Sequence, residues 1–174
     1  MKLVEVDKVL YRQRLNRVIG VFIGSLALLS LLFGQMLISI FGHVEVQSGE
    51  PTGNLHLNFL GVLIGFAICA GGLYLKRHND YLKEIYYVSR LKALQNRIYR
   101  KLKAIKLEAD KDNVDALIIL SFYFVSLKLV YLLDDNTLTL NQLDSELTAI
   151  KQRIEFLGLV VTEQDFDVEL LNRF

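Results

Sequence analysis

Proline, cysteine and tryptophan are almost missing from this 174-residue sequence, which has one proline, one cysteine and no tryptophan. A single cysteine, Cys69, cannot form a disulfide within the chain, so nothing indicates the oxidised framework of a small secreted domain. The scarcity of proline accompanies 52% hydrophobic residues and a mean hydropathy of +0.33. These values are unusual for one soluble domain of this length.

Charge is absent from two long segments. Between Arg17 and Glu45 lie 27 uncharged residues, and between Glu50 and Lys76 lie 25, whereas about 20 apolar residues suffice to cross the hydrocarbon of a bilayer. We therefore predict two transmembrane helices, near 18–41 and 57–75. The first segment is too long for the apolar part of a cleaved signal peptide, and no small-residue cleavage site follows it.

Basic residues are absent from the connection between the two predicted spans, and this absence predicts the topology. Residues 1–17 carry five basic side chains and residues 76–106 carry ten, whereas the connection 42–56 carries none. Because basic residues near span ends are retained in the cytoplasm, we expect both termini inside and the loop outside. This predicts a multi-pass protein of the bacterial inner membrane.

Three regions follow from this topology. We predict a basic cytoplasmic N-terminal segment at 1–17, a transmembrane hairpin at 18–76 and a cytoplasmic helical domain at 77–174. The cations flanking the spans either contact anionic lipid or only provide the topogenic charge and a solvated helix face. The predicted lipid-contact residues are Arg12, Arg14, Arg17, Lys76, Arg77 and Lys83.

Small residues recur four apart within both spans. In lipid, helices associate through close packing of such residues. In an antiparallel hairpin, the pair Gly61 and Gly65 is expected opposite the Ser30–Gly34 region, and the Gly20–Gly24 pair opposite Gly71–Gly72. Alternatively, one of these motifs contacts a second copy of the protein. The predicted helix-packing residues are Gly20, Gly24, Ser30, Gly34, Gly61, Gly65 and Gly71.

The remainder of the chain has helical periodicity. Apolar residues from Ile85 to Ile105 predict an amphipathic helix over about 80–108, either continuous with the second span or begun afresh with a cap at Asn79 or Asp80. The apolar run at 114–133 is interpreted as a central core helix, because Lys128 in its middle would be costly in lipid. A third span is the alternative.

A heptad pattern follows the turn sequence Asp134-Asp135-Asn136. Thr139 with Gln142 fits a capping box, and Gly158 is placed to end the helix. Thr162 with Asp165 predicts a last short helix. The fold class is therefore all-α, with a two-helix transmembrane hairpin and an antiparallel cytoplasmic bundle of three to four helices. The apolar positions, interpreted as a coiled-coil-like interaction seam, are Leu140, Leu143, Leu147, Ile150, Ile154 and Leu157.

Catalytic and ligand-binding motifs are lacking. The sequence has no glycine-rich phosphate loop, zinc-protease motif or nucleophile elbow, so we predict no catalytic, cofactor-binding or metal-binding residues and no enzymatic activity. Neither predicted span contains an ionisable carboxylate, lysine or arginine, which disfavours a transporter. The basic segment lies beside the bilayer without a recognition motif, which disfavours nucleic-acid binding.

Four stretches resemble an uncharacterised gamma-proteobacterial family of short two-span inner-membrane proteins, a domain of unknown function. They are LYRQRLNRVI (10–19), LNFLGVLIG (57–65), NRIYRKL (96–102) and YLLDDNTLTL (131–140). The resemblance implies an inner-membrane location and this topology, and it implies no activity.

Together these features predict a membrane-tethered structural or protein-interaction module. Its expected partners are membrane lipid and either another protein or a second copy of the chain. The alternative is an accessory subunit of a larger membrane transporter or membrane enzyme, which would dock through Gly61 and Gly65.

Overall fold

The computed structural model describes residues 1–42, 53–136 and 138–174. Within those ranges the chain is helical and has no strand, which confirms the predicted all-α class. The α-helices are α1 (Lys8–Phe41), α2 (Leu55–Leu75), α3 (Lys83–Ala109), α4 (Val114–Leu133) and α5 (Leu140–Phe156), followed by 3₁₀ helices at Glu163–Asp165 and Val168–Arg173.

The chain divides into two compact units, and their boundaries differ from the predicted regions. The first unit, called here the helical bundle, comprises Met1–Tyr11 and Glu84–Phe174. The second, called the hairpin, comprises Arg12–Lys83. Of the predicted N-terminal segment 1–17, the first eleven residues lie in the bundle and the remainder in the hairpin.

The hairpin contains most of α1 and all of α2. With a rise of about 1.5 Å per residue, the 34 residues of α1 extend about 50 Å and the 21 residues of α2 about 31 Å. The predicted spans 18–41 and 57–75 lie inside these helices. The predicted external loop 42–56 lies mostly outside the described residues, which resume at Gly53.

A tight turn separates α2 from α3, so the second span and the amphipathic helix are not one continuous helix. The Asn79 N–H donates to Lys76 O, and its side-chain oxygen accepts the Tyr81 N–H at 2.9 Å. A side chain that accepts from the backbone two residues on stabilises a turn rather than a helix. The polar sequence at 76–82 therefore ends one helix and begins another.

Among the described residues, three helices are long and apolar enough to cross a membrane, namely α1, α2 and α4, but they differ in burial. In the most apolar part of each, 11% of residues in α1 and 17% in α2 are buried, against 67% in α4. The structure thus makes α4 the core of the bundle. Its Ser126 accepts a 3.1 Å hydrogen bond from Gln95 of α3, and its Lys128 pairs with Asp144 of α5 at 2.6 Å.

The end of α5 follows the sequence signals closely. Gly158 adopts a φ of +65°, which a glycine takes without the strain of a Cβ. Its N–H donates to Glu155 O, and the Leu159 N–H donates to Ile154 O, which completes a Schellman motif. The prediction that Gly158 ends this helix is confirmed.

The predicted capping box at the start of α5 is absent. Thr139 is the N-cap residue, but its ψ of 0° departs from the extended conformation of a capping residue, and its side chain makes no cap hydrogen bond. Thr162 and Asp165 do form a capping box, although they begin a 3₁₀ helix rather than an α-helix. The tail then packs against α4, where the Phe166 and Phe122 rings stack with centroids 4.0 Å apart.

The N-terminal residues complete the bundle. Val6 and Tyr11 are buried there. The Val4 N–H donates to the Tyr87 hydroxyl of α3 at 2.9 Å, and Lys8 forms an ion pair with Asp135. Burial raises the pKa of Tyr87, and the hydrogen bond from Val4 opposes that rise. Tyr87 thus remains a neutral phenol at physiological pH, able to accept this bond.

Candidate functional site

In the hairpin, α2 approaches the second half of α1 closely at two glycines. A β-carbon built on Gly61 would lie 2.5 Å from Gly34 N, 2.8 Å from Gly34 Cα and 3.0 Å from Ser30 O. One built on Gly65 would lie 3.2 Å from Ser30 N and 3.3 Å from Leu29 Cβ. The structure thus brings Gly61 and Gly65 together with Ser30 and Gly34, at a spacing that a side chain on Gly61 would prevent.

The other predicted glycine contact is not formed. A β-carbon on Gly20, Gly24, Gly71 or Gly72 would meet no other part of the described chain within 4 Å. Instead, an edge-to-face pair of Phe22 and Phe66, with ring centroids 6.2 Å apart, lies between the helices beyond the Gly65 contact. The open space beside Gly20 and Gly72 shows that α1 and α2 separate towards their basic ends.

This separation leaves a cleft of about 870 Å³ within the hairpin, called here the interhelical cleft. Its walls are mostly apolar and include Phe22, Leu29, Ile68 and Leu73. Cys69, the cysteine of the chain, also lines it and is half-buried. Its polar residues are concentrated at the turn-proximal end, where Arg17, Lys76 and Tyr81 lie.

The six cations predicted to contact lipid differ in their surroundings. Arg77 donates to Tyr74 O at 2.8 Å, and its guanidinium lies 3.9 Å from the centre of the Tyr74 ring. Arg14 donates to Asp80 O at 3.2 Å and lies 5.3 Å from the centre of the Tyr81 ring. Both guanidinium groups are therefore held by the chain itself.

Arg17 and Lys76 are different, because both line the cleft and neither side chain has an ion pair or hydrogen bond within the described ranges. Lys83 begins α3 and does not line the cleft, and Arg12 is exposed on α1. The structure thus singles out two of the six predicted residues by their position on the cleft.

The predicted interaction seam is used within the bundle. Leu143, Leu147 and Ile154 are buried, and Leu140, Ile150 and Leu157 are half-buried, as α5 packs along α4. The seam therefore packs on α4 within the same chain. Another protein would have to bind a different surface. Phe156 and Val160, at the end of α5, are 88% and 98% exposed.

Ion pairs join the basic helix α3 to the acidic part of the bundle. Residues 76–106 have a net charge of +8 and residues 107–174 a net charge of −8. Lys92 pairs with Asp134 at 2.7 Å, and Lys106 pairs with Glu146 at 2.9 Å. These side chains are substantially exposed, so each pair contributes about 0–1 kcal/mol. They orient α3 within one molecule, and core burial supplies most of the stability.

The family model described as Protein of unknown function (DUF3087) matches residues 1–171. The chain belongs to this family. No curated protein and no solved structure matches it.

The DUF3087 match covers both the hairpin and the bundle, so the two units are parts of one family architecture. The description of DUF3087 names no activity. The described residues contain no group of three or more His, Cys, Asp or Glu that could hold a metal ion.

Proposed function

We propose that this protein is an integral inner-membrane protein whose α1–α2 hairpin tethers a cytoplasmic helical bundle, which serves as a structural or protein-interaction module. The observation that carries the proposal is the difference in burial among the three apolar helices. The bundle covers α4, whereas α1 and α2 leave most of their apolar surface uncovered by protein.

The exposed apolar surface of α1 and α2 is large enough that we expect lipid or protein to bury it. Soluble monomers rarely expose apolar patches of more than a few hundred Å². In α1 and α2, large hydrophobic side chains such as Val21, Leu31, Phe41 and Leu75 are each more than two-thirds exposed. Each gains about 1.5–3 kcal/mol when fully buried, so covering both helices with lipid stabilises the chain by an amount on the order of tens of kcal/mol.

The two-span topology rests on burial and charge together. Most of α4 is buried in the bundle, and its Lys128 forms a partly exposed ion pair with Asp144, which suits contact with water better than contact with hydrocarbon. With α1 and α2 as the spans, the positive-inside rule directs both basic flanks, and therefore both termini, to the cytoplasm.

Reporter fusions test this topology. A reporter after Phe174 should report a cytoplasmic end, and one inserted at Gly53, between the spans, should report the periplasm. Periplasmic activity after Phe174 would show a third span at 114–133 and overturn the two-span hairpin.

The interaction role is supported by apolar residues that the bundle leaves exposed, foremost Phe156 and Val160. Mild-detergent purification followed by mass measurement should recover the protein with a partner or as an oligomer. A photo-crosslinking residue at Phe156 should form adducts, whereas one at the buried Leu143 should form none. A strictly monomeric protein without adducts from Phe156 would contradict the interaction role.

A role as an accessory subunit is the second candidate, and it needs a different surface from the one first expected. Gly61 and Gly65 are occupied by α1, so they are unsuited to docking on a larger partner. Gly24 and Gly71 have open space around them and offer close approach to another helix. Replacing Gly24 and Gly71 with Leu should release the protein from such a complex, and unchanged association would remove this candidate.

A further inference from the structure

We propose that the interhelical cleft binds one anionic phospholipid, with an acyl chain between α1 and α2 and the phosphate between Arg17 and Lys76. This inference rests on the proposed membrane hairpin and adds a ligand to it. Its basis is the combination of an apolar cavity with two cations at one end that form no ion pair or hydrogen bond with the part of the chain that the structure describes.

The dimensions of the cleft match one leaflet of a bilayer. Its lining on α1 runs from Arg17 to Leu29, twelve helical steps or about 18 Å along the helix axis. Half the hydrocarbon thickness of a bilayer is about 15 Å. The volume of about 870 Å³ lies within the usual range for ligand sites, about 300–1,000 Å³.

The closed end of the cleft, opposite the end with Arg17 and Lys76, disfavours a spanning helix as the occupant. Near Leu29 and Ser30 the two backbones close against each other at Gly65, so the cleft stops about midway along the predicted span 18–41. A transmembrane helix needs about 30 Å of length and is about 10 Å wide. An acyl chain entering from one leaflet ends where the cleft ends.

The polar end of the cleft suits a phosphate. An arginine guanidinium matches phosphate oxygens in two-pronged geometry, and a lysine ammonium serves as a mobile point charge. Arg14 and Arg77 are engaged by backbone carbonyls and aromatic rings, which leaves Arg17 and Lys76 for the ligand. The negative charge of the cytoplasmic leaflet also favours an anionic headgroup at this end.

Cys69 provides a direct readout of occupancy, because the chain has no other cysteine and this one lines the cleft. The full-length protein is purified in mild detergent, and alkylation of Cys69 by a maleimide is timed with added dioleoyl phosphatidylglycerol or dioleoyl phosphatidylcholine. We expect phosphatidylglycerol to protect Cys69 at lower concentration than phosphatidylcholine, and inorganic phosphate not to protect it.

Variants identify the headgroup site. Arg17→Gln and Lys76→Gln should each weaken protection by phosphatidylglycerol about fivefold, and the double variant about 25-fold. Arg77→Gln removes the same charge from the same end of the hairpin, yet it should weaken protection of Cys69 by phosphatidylglycerol less than twofold. Equal losses for Arg77→Gln and Arg17→Gln would show general surface attraction and overturn the site.

Filling the cleft provides a second test. Gly72 lines the cleft, and a β-carbon built on it would meet no atom within 4 Å. A β-carbon on Gly71 would be equally free of contacts, but Gly71 does not line the cleft. Gly72→Leu should abolish lipid protection of Cys69 and the phosphatidylglycerol adduct in native mass spectrometry, whereas Gly71→Leu should retain both.

The outcomes distinguish this inference from the membrane proposal. Equal protection by both lipids, protection that survives in the double variant, or a cleft closed by a second copy of the chain would each overturn the lipid site while leaving the hairpin intact. A chain that is soluble and monodisperse without detergent would overturn the membrane proposal itself.

Discussion

Replacing Gly61 with alanine should force the hairpin apart, because the added methyl group would meet backbone atoms that cannot rotate away. Its carbon would lie 2.5 Å from Gly34 N, whereas non-bonded carbon contacts are most favourable at about 3.5–4.0 Å. The helices would have to separate by about 1 Å at this point. A gap of about 0.5–1 Å forfeits a quarter to a half of the dispersion attraction across a contact, and overpacking of this kind typically costs about 1–3 kcal/mol.

Three other glycines provide a graded control series. At Gly34 the added carbon would meet the Asn58 side-chain oxygen at 2.9 Å, which can rotate aside, and at Gly65 its closest contacts are 3.2 Å. At Gly71 it would meet nothing, and alanine there gains about 0.5–1 kcal/mol of helix propensity over glycine. Stability should therefore fall most for Gly61→Ala, less for Gly34→Ala and Gly65→Ala, and not at all for Gly71→Ala.

The assay is unfolding of the full-length protein in mixed micelles with a rising fraction of SDS, followed by circular dichroism. The midpoint for Gly61→Ala should lie clearly below that of the wild type. A wild-type midpoint for Gly61→Ala, or an equal loss for Gly71→Ala, would refute the proposed packing of α1 on α2.

Three further predictions concern the bundle, and chemical denaturation of the detergent-solubilised full chain measures each of them. Phe166→Ala removes the ring stacked on Phe122 and should lower the free energy of unfolding by about 3–5 kcal/mol. Phe156→Ala, at an exposed site, should change it by no more than about 0.5 kcal/mol. Equal effects of the two variants would contradict the packing of the tail on α4. Gly158→Ala places a β-carbon at a φ of +65° and should cost about 1 kcal/mol, so an unchanged midpoint would argue against the Schellman motif. Tyr11→Ala opens a cavity where the N-terminal segment packs and should cost several kcal/mol, and a loss below about 0.5 kcal/mol would show that residues 1–11 are not part of the bundle.

Features with long periods or strong local chemistry could be predicted from the sequence. The two uncharged segments predicted the apolar parts of α1 and α2, because uncharged runs of this length are rare in the helices of soluble proteins. The seven-residue spacing from Leu140 to Leu157 correctly predicted a helix with one apolar face, and Gly158 marked its end because few other residues adopt a positive φ without strain. Such signals depend on neighbours in the sequence.

Features that depend on distant side chains could not be predicted. The apolar residues Val6 and Tyr11 stand among charges in too short a segment to show a period, so their burial was missed. The separation of α1 from α2 beside Gly20 and Gly72 depends on how the two helices pack, which glycine spacing does not reveal. Likewise, the cations of one basic flank look alike in sequence, and only the contact of Arg77 with Tyr74 sets it apart from Lys76.

The central claim is that lipid covers α1 and α2 whereas protein covers α4, and depth-dependent fluorescence quenching tests it most directly. The chain has no tryptophan, so a single one can be introduced at Leu31, exposed near the middle of the predicted span 18–41, or at Leu127, half-buried in the second half of α4. In vesicles of phospholipids brominated on the acyl chains, the account predicts strong quenching for Leu31→Trp and little for Leu127→Trp. Strong quenching at both positions would make α4 a third span, and none at Leu31 would contradict the membrane hairpin.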